Sequence, residues 1–176
     1  MEAKRYEKQR RRFLKGLYKA RSAGCDVIFI DQTGFVTRPW RRHGRAVRGE
    51  RVYGERTGKR ERRTSLIGGL RNNKLVAPMV YRGTCNANFF NAWLERLLLP
   101  ALEPGSVVVL DNATFHKSRR SVELAQGAGC RLLFLPPYSP ELNPIEKLWA
   151  NIKRAWGYRE EIGLEDFLAQ DGHVWG

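Results

Sequence analysis

The hydrophobic positions of this chain fall into short apolar runs and into longer segments with helical spacing. Five apolar runs predict strands, at residues 27–35, 64–70, 75–81, 106–110 and 131–135. Helical spacing predicts helices at residues 1–23, 88–99, 118–126 and 144–158, with a last turn or two at 164–169. Residues 71–74, Arg-Asn-Asn-Lys, are typical of a hairpin turn. Strands in hairpins, followed by strands that alternate with helices, predict a mixed α/β sheet.

Three of the predicted helices have an apolar face that we expect to be buried. In the first helix this face comprises Tyr6, Phe13, Leu14, Leu17 and Tyr18. In the second it comprises Phe89, Phe90, Trp93, Leu94, Leu97 and Leu98. In the fourth it comprises Ile145, Leu148, Trp149, Ile152 and Trp156.

A proline-rich stretch connects the last predicted strand to this fourth helix. Pro136, Pro137 and Pro140 exclude helix and favour a stiff, extended loop. The loop ends at Asn143, which is a suitable N-cap residue. Such a loop would place the start of the helix at a fixed point.

Glu146 lies in the first turn of that helix, after Pro144, which suits the first helical position. One interpretation is structural: Asn143 and Glu146 form a capping box, in which the glutamate only accepts a backbone N–H. The other is functional: the loop positions one carboxylate for chemistry. Two further carboxylates favour the functional interpretation.

Asp31 and Asp111 each follow an apolar run that is typical of a strand buried on both faces, residues 27–30 and 107–110. A buried carboxylate without a partner is costly, so each needs a reason to be there. The alternative for each is local, namely a loop at residues 31–34 and a turn at residues 111–112.

Three segments around these carboxylates resemble DDE transposases, in particular the mariner-like bacterial insertion-sequence group of the retroviral-integrase superfamily. The segments are residues 30–35, IDQTGF; residues 110–113, LDNA, followed by His116; and residues 135–146, LPPYSPELNPIE, followed by Trp149. The third segment is long and specific. The first departs from the family pattern by having Gln32 where an acid is common. With 34 residues between Asp111 and Glu146, the resemblance covers about residues 26–156.

The resemblance implies an RNase H-like fold, a mixed five-stranded sheet flanked by helices. In that fold the first strand lies parallel and adjacent to the strand after the first long helix. Asp31 and Asp111 would then be neighbours at the carboxyl end of the sheet, and the final helix would bring Glu146 to them. The resemblance thereby implies Asp31, Asp111 and Glu146 as the catalytic residues, with Asn112 and His116 in support.

The sequence also suggests roles for three further side chains, those of His116, Tyr138 and Trp149. We expect His116 either to orient a phosphate or a water, or to be a loop histidine in contact with solvent. We expect Tyr138 and Trp149 to pack in the protein rather than to stack on DNA bases.

Three converging carboxylates would repel one another, and a divalent cation would relieve the repulsion. Oxygen ligands without Cys or His favour Mg²⁺ or Mn²⁺ over zinc. Two such ions would clamp a phosphodiester, with Asp31 bridging both, Asp111 on one and Glu146 on the other. Water as the nucleophile would cleave a DNA strand, and a 3′-hydroxyl would join two strands. The resemblance implies both reactions.

The charge distribution points to a nucleic acid as the partner. The chain has 176 residues, 42% of them hydrophobic, and a net charge of +14. Residues 1–22 carry +7 and residues 38–63 carry +8, so subtracting both from +14 leaves the rest of the chain at −1. We therefore expect DNA contact mainly from residues 38–63. The candidate DNA-binding residues are Arg38, Arg41, Arg42, Arg45, Arg48, Lys59, Arg60, Arg62, Arg63 and Lys153.

The sequence predicts three parts: a basic N-terminal helix at residues 1–24, an RNase H-like DDE catalytic domain at residues 25–158, and a tail at residues 159–176. Transposases of this group usually carry a helix-turn-helix region ahead of the catalytic domain, and one helix is too little for such a reader. We therefore expect either one half of a split transposase, with a separate upstream half, or a truncated copy. The resemblance also implies a homodimer.

The sequence indicates no membrane association. It contains three scattered cysteines, no signal peptide, and no apolar run near the ~20 residues of a spanning helix. We expect a cytoplasmic, nucleoid-associated bacterial protein. Two alternative functions stay open: a nuclease on the same fold that hydrolyses without joining, and a non-catalytic remnant that only binds DNA.

We predict that DNA binding depends strongly on salt and that residues 38–63 supply most of this dependence. Each neutralised phosphate contributes a slope of about 0.9 in log K against log salt concentration. Replacing Arg41, Arg42 and Arg45 with Ala should weaken binding to all DNA sequences alike and flatten the slope, as measured by titration at several salt concentrations. An unchanged slope in the triple variant would assign this segment to a solvated surface.

Overall fold

A computed structural model of the chain describes residues 2–36, 63–157 and 162–171. It contains one five-stranded sheet with the strand order β3-β2-β1-β4-β5. The strands are β1 (Val27–Val36), β2 (Arg63–Arg71), β3 (Lys74–Tyr81), β4 (Val107–Leu110) and β5 (Arg131–Phe134). The pairs β1–β2 and β2–β3 are antiparallel, whereas β1–β4 and β4–β5 are parallel. The predicted mixed five-stranded sheet is confirmed.

Helices cover both faces of this sheet. They are α1 (Glu2–Ser22), α2 (Ala87–Trp93), α3 (Arg119–Gly127), α4 (Ile145–Trp156) and α5 (Leu164–Asp171). The chain continues from α2 through a π-helical segment, Leu94–Leu98, and a short 3-10 turn. None of the helices in the described ranges combines the length and apolarity that a bilayer span requires.

The hairpin turn between β2 and β3 forms where the sequence predicts it. Asn72 and Asn73 both have positive φ angles, 49° and 63°. Asparagine tolerates this left-handed backbone better than most residues, and two such residues in a row match the twist of a two-residue hairpin.

The sheet separates two hydrophobic cores, because side chains alternate between its faces along each strand. Ile28 and Ile30 pack on one face with residues of α2 and the π-helical segment. Phe29 packs on the other face with buried residues of α1, α4 and α5. The whole predicted apolar face of α4 is buried in this second core.

The N-terminal helix α1 contributes to the same core through Phe13, Leu17 and Ala20. The predicted burial of Leu14 and Tyr18 is wrong, because their side chains are 41% and 75% exposed. Each lies one position after a buried residue, and therefore ~100° around the helix from it. The helix rests on the sheet along a narrow stripe that excludes both.

The predicted burial of Leu97 is also wrong, because this side chain is 40% exposed. In the π-helical segment the Leu99 N–H bonds to the Leu94 carbonyl, five residues back. This wider turn rotates the side chains that follow it relative to an α-helix, and in the resulting arrangement Leu98 is buried while Leu97 is exposed.

We predict that Phe13→Ala lowers the free energy of unfolding by about 3–5 kcal/mol, because Phe13 is 3% exposed in the shared core. Its neighbour Leu14 is the matched control, and Leu14→Ala should cost less than about 1 kcal/mol. Denaturant unfolding measures both. Equal losses in the two variants would contradict the packing of α1 on the sheet.

Candidate active site

The parallel pairing of β1 with β4 brings two of the candidate carboxylates together. Val27 lies opposite Val107, and Phe29 lies opposite Val109. The same offset, carried two residues further, aligns Asp31 with Asp111 at the ends of the paired segments. Because side chains alternate, both aspartates lie on the face of Phe29 and Val109, which α4 covers.

Helix α4 supplies the third carboxylate from its first turn. Asp31, Asp111 and Glu146 line one cleft, whose other walls are the proline-rich loop, Asn112 and Asn143. Glu146 is exposed, and its side-chain carboxylate makes no hydrogen bond or ion pair with another described residue. Both of its carboxylate oxygens are therefore open to a ligand.

Asp31 has an environment that opposes its ionisation. Burial is the main reason that the pKa of Asp31 rises to about 6, and the negative charges of Asp111 and Glu146 raise it as well. Hydrogen bonds from the Gln32 backbone amide and from Trp149 act in the opposite direction. The Trp149 indole N–H donates to Asp31 Oδ2 at 3.2 Å, so it also orients the carboxylate.

Asp111 has an environment that favours its ionisation. Burial alone would raise the pKa of Asp111, but hydrogen bonds from His116 and the Ala113 amide, together with the charge of Lys117, lower it below its ordinary value. The Ala113 N–H lies 2.9 Å from Asp111 Oδ1, and His116 Nδ1 lies 2.5 Å from the same oxygen. The Nδ1-protonated form of His116 can donate this bond.

The environment of His116 excludes one of the two interpretations that the sequence leaves open. His116 is only 3% exposed, so it is not a loop histidine in contact with solvent. Its ring packs against Phe90 and Phe115, with centroid separations of 4.3 Å to each, and its Nδ1 faces Asp111. His116 therefore orients a candidate catalytic carboxylate.

The predicted capping role of Asn143 is wrong. Its backbone N–H bonds to the Pro140 carbonyl, so the Glu146 carboxylate has no N–H to accept there. The start of α4 has no side-chain cap, and the Asn143 amide oxygen is buried without a hydrogen-bond partner among the described residues. Glu146 is therefore not part of a capping box, and Asn143 presents an unsatisfied oxygen in the wall of the cleft.

Side chains from two other parts of the fold hold the proline-rich loop. The Asn112 side chain donates to the Leu135 carbonyl and so ties the loop to the end of β4. On the far side, the Tyr6 hydroxyl lies 2.8 Å from Ser139 Oγ, and Arg10 forms an ion pair with Glu141. Helix α1 thus holds the loop that lines the cleft.

The two aromatic residues expected to pack behave differently. Trp149 is buried as expected, but its hydrogen bond to Asp31 is a contribution to the site that the sequence analysis missed. A signal existed, because a buried tryptophan needs an acceptor for its N–H, and Trp149 lies three residues after Glu146. The expectation for Tyr138 is wrong, since its side chain is 95% exposed.

Of the candidate DNA-binding residues, the structure describes only two. Those that lie outside the described residues are Arg38, Arg41, Arg42, Arg45, Arg48, Lys59, Arg60 and Arg62. Arg63 begins β2, and its side chain lies over Gly34. The Lys153 ammonium lies 5.6 Å from the centre of the Phe35 ring. Both cations therefore lie beside the last residues of β1, beyond Asp31.

The oxygens of the cleft fit a hard divalent cation by their chemistry. The donors are three carboxylates and one unsatisfied amide oxygen, the ligand types that Mg²⁺ and Mn²⁺ prefer. Mutual repulsion that raises the pKa of Asp31 is also what a bound cation would relieve. In residues 2–36, 63–157 and 162–171, no three His, Cys, Asp or Glu side chains are arranged to hold a metal ion as they stand.

Comparisons with known proteins agree with this fold. A family model described as DDE superfamily endonuclease matches residues 26–167. The Mos1 strand transfer complex superposes with a TM-score of 0.67 at 21% identity, over 86% of this chain and 48% of that chain. The catalytic domain of Mos1 mariner transposase superposes with a TM-score of 0.56 at 15% identity, over 95% and 84%. These likenesses show the RNase H-like fold.

One curated protein is similar over a short segment. The uncharacterised protein y4pE/y4sA of Sinorhizobium fredii (strain NBRC 101917 / NGR234) is 39% identical over 51 residues, which are 29% of this chain and 36% of that protein. This chain therefore covers about a third of that protein, and about half of the Mos1 chain in the strand transfer complex.

We predict that Asp31→Asn stabilises the metal-free protein at pH 7.5. The folded-state pKa of about 6 exceeds the unfolded value of about 3.9, so the stability of the wild type falls as the pH rises between them. Asparagine removes this cost while its amide oxygen can still accept from Trp149. In EDTA, denaturant unfolding should show a gain of about 1–3 kcal/mol at pH 7.5 and almost none at pH 4.

The control for this measurement is Glu123→Gln, which removes an exposed carboxylate on α3, away from the cleft. It should show no such difference between the two pH values. Equal effects of Asp31→Asn at both pH values would mean that the folded protein does not raise the pKa of Asp31.

Proposed function

Because this chain belongs to the DDE superfamily endonuclease family, we propose that it is the catalytic domain of a transposase, which cleaves DNA strands and joins 3′-hydroxyl ends to new DNA. One observation carries the proposal: carboxylates from the middle of β1, the end of β4 and the start of α4 line a single cleft. The Mos1 transposase, which shares the fold, forms a strand transfer complex.

In this proposal Asp31, Asp111 and Glu146 would together hold two Mg²⁺ or Mn²⁺ ions. When bound, such ions activate the attacking oxygen and stabilise the leaving oxygen of a phosphodiester. Structures of Mos1 paired-end complexes contain Mn or Mg.

The remaining residues of the cleft fix the carboxylates. His116 and the Ala113 amide keep Asp111 ionised and oriented, so that its second oxygen stays available. Trp149 keeps Asp31 in place in spite of the repulsion from Asp111 and Glu146. Two of the three carboxylates are thereby held by the protein before a ligand binds, which is the condition for a preorganised site.

DNA is the proposed partner. Arg63 and Lys153 lie beside the last residues of β1, and α1, with nine basic residues within positions 1–22, contacts the loop that lines the cleft. Basic side chains in these places can contact phosphates, which positions DNA without selecting its sequence. A homodimeric assembly and a separate upstream half that carries the helix-turn-helix belong to the proposal on the strength of the family resemblance.

The decisive experiment has two steps. Supercoiled plasmid is incubated with the chain in Mg²⁺, in Mn²⁺ and in EDTA, and nicking is measured on a gel. A pre-cut oligonucleotide with a free 3′-hydroxyl is then offered together with target plasmid. Cleavage and joining that both require the metal support a transposase, and cleavage without joining indicates a hydrolytic nuclease. Metal-independent binding without cleavage indicates a DNA-binding remnant.

We predict that Asp31→Asn, Asp111→Asn and Glu146→Gln each lower metal-dependent cleavage by more than about a hundredfold, because each removes a charged metal ligand without changing shape. Glu123→Gln is the matched control and should cleave like the wild type. Circular dichroism checks that every variant is folded. If Glu146→Gln cleaves at the wild-type rate, Glu146 has only a structural role and the assignment of three catalytic carboxylates is wrong.

A further inference from the structure

The rim of the cleft carries an aromatic side chain that the folded chain does not use. Tyr138 lines the cleft together with the three carboxylates. Its side chain is 95% exposed, the highest value among the large hydrophobic residues that the structure describes. The ring makes no stacking contact, and its hydroxyl no hydrogen bond, with another described residue. Its packing therefore contributes almost nothing to the stability of the chain alone.

The backbone of Tyr138 is nevertheless held in an unfavourable conformation. Its φ is 51°, in the left-handed region that an aromatic residue rarely adopts. Pro137 and Pro140 restrict the loop on either side, and Ser139, next in the chain, is only 4% exposed. Ser139 Oγ donates to the Pro137 carbonyl at 3.2 Å. Strain of this kind persists only where the surroundings enforce it, and it is most frequent at ligand sites.

Helix α1 enforces this conformation from outside the loop. The Tyr6 hydroxyl lies 2.8 Å from Ser139 Oγ and 3.5 Å from the Tyr138 carbonyl oxygen. One turn further along the helix, Arg10 pairs with Glu141. Two contacts four residues apart on α1 thus hold the loop just after Tyr138, at Ser139 and Glu141, and they bring a strongly basic helix next to an exposed ring.

We propose that Tyr138 is a stacking platform for an unpaired nucleobase of the DNA strand that enters the cleft, and that α1 holds the platform in place through Tyr6 and Arg10. The inference rests on the proposed function, since it assumes that DNA is the substrate. An exposed aromatic ring beside basic side chains is the usual combination for binding single strands. Every base has a π-face, so the platform tolerates any base.

The platform also fits the geometry of strand cleavage. The ring and the three carboxylates line the same cleft, so a nucleotide whose phosphate lies near the carboxylates can place its base on the rim. A base that has left the duplex stack needs another π-face, and stacking on a protein side chain compensates for the lost neighbour.

The test is a binding measurement in the cleavage-deficient Asp111→Asn background with EDTA. The probes are a duplex with a single-stranded 3′ overhang that contains 2-aminopurine, and a fully paired duplex of the same length. Stacking on Tyr138 should quench the 2-aminopurine fluorescence. Tyr138→Ala should remove the quenching and weaken overhang binding about tenfold, with almost no change for the paired duplex.

Three further variants separate the ring from other effects. Tyr138→Phe keeps the ring and should bind like the parent. Tyr138→Asn removes the ring but suits a left-handed backbone, so it should lose binding as much as Tyr138→Ala even where relief of strain stabilises the fold. Tyr18→Ala is the matched control. Tyr18 is also an exposed tyrosine, at 75% exposure, but it lies on α1 and does not line the cleft. It should change neither probe.

The role of α1 has its own variant. Tyr6→Phe keeps the ring of Tyr138 but removes the hydroxyl that contacts Ser139, so it should reduce the quenching by an intermediate amount. Wild-type quenching in Tyr6→Phe would overturn the positioning role of α1.

Several outcomes overturn the platform. They are unchanged overhang binding in Tyr138→Ala and Tyr138→Asn, an equal loss for overhang and paired duplex, or a change of oligomeric state in gel filtration that accounts for the loss. The readout needs no cleavage, so its failure is distinct from failure of the proposed function. A chain that never cleaves but loses quenching with Tyr138 would keep the platform and lose the transposase assignment. A chain that cleaves through Asp31, Asp111 and Glu146 but binds the overhang normally without the Tyr138 ring would keep the transposase assignment and overturn the platform.

Discussion

The parallel pairing of β1 with β4 is the constraint on which the rest of the site depends. It sets two aspartates from distant parts of the sequence beside each other, on the face of the sheet that α4 covers. The side-chain period of a strand is two, so a slip of one residue in either strand would move its aspartate to the opposite face. There it would meet the hydrophobic core formed with α2 and the π-helical segment instead of the start of α4. The alternation of Ile28, Phe29 and Ile30 between the two cores prevents that slip.

The site that results is one in which packing holds like charges together. The buried face of α4, with Ile145, Trp149 and Ile152, anchors the helix on the sheet and so keeps Glu146 near two aspartates. The protein treats those aspartates differently: His116 and a backbone amide favour the charged form of Asp111, whereas burial opposes the charged form of Asp31. Without a cation, the repulsion between these carboxylates lowers the stability of the folded protein. A bound cation would relieve the repulsion, and this relief would contribute to the free energy of cation binding.

The N-terminal helix links this site to the outer surface of the fold. Phe13 and Leu17 place α1 in the same core as α4, and Tyr6 and Arg10 hold the proline-rich loop from the other side. The cleft is therefore supported by two helices that are far apart in the sequence. The division of the chain into a separate basic helix and a catalytic domain stays a prediction, although the family match begins at residue 26, after α1.

The sequence by itself determined the elements, the family and the fold class of this protein. Apolar runs, helical spacing and the two adjacent asparagines at 72 and 73 act over a few residues, so they could be recognised locally. The segment at residues 135–146, which ends at Glu146, could also be recognised locally because it is a long, specific and continuous motif. The sequence predicted burial correctly for the apolar face of α4, where the buried stripe is wide. It failed for Leu14 and Tyr18 of α1, where the buried stripe is narrow.

Only the tertiary structure decided how the side chains of the site are used. Trp149 bonds to Asp31 across 118 positions, and His116 is enclosed by rings from two separate segments. Tyr138 is 95% exposed in a loop that Tyr6 of α1 contacts through Ser139. Each outcome depends on a partner brought close by the fold, and local periodicity contains no information about such a partner.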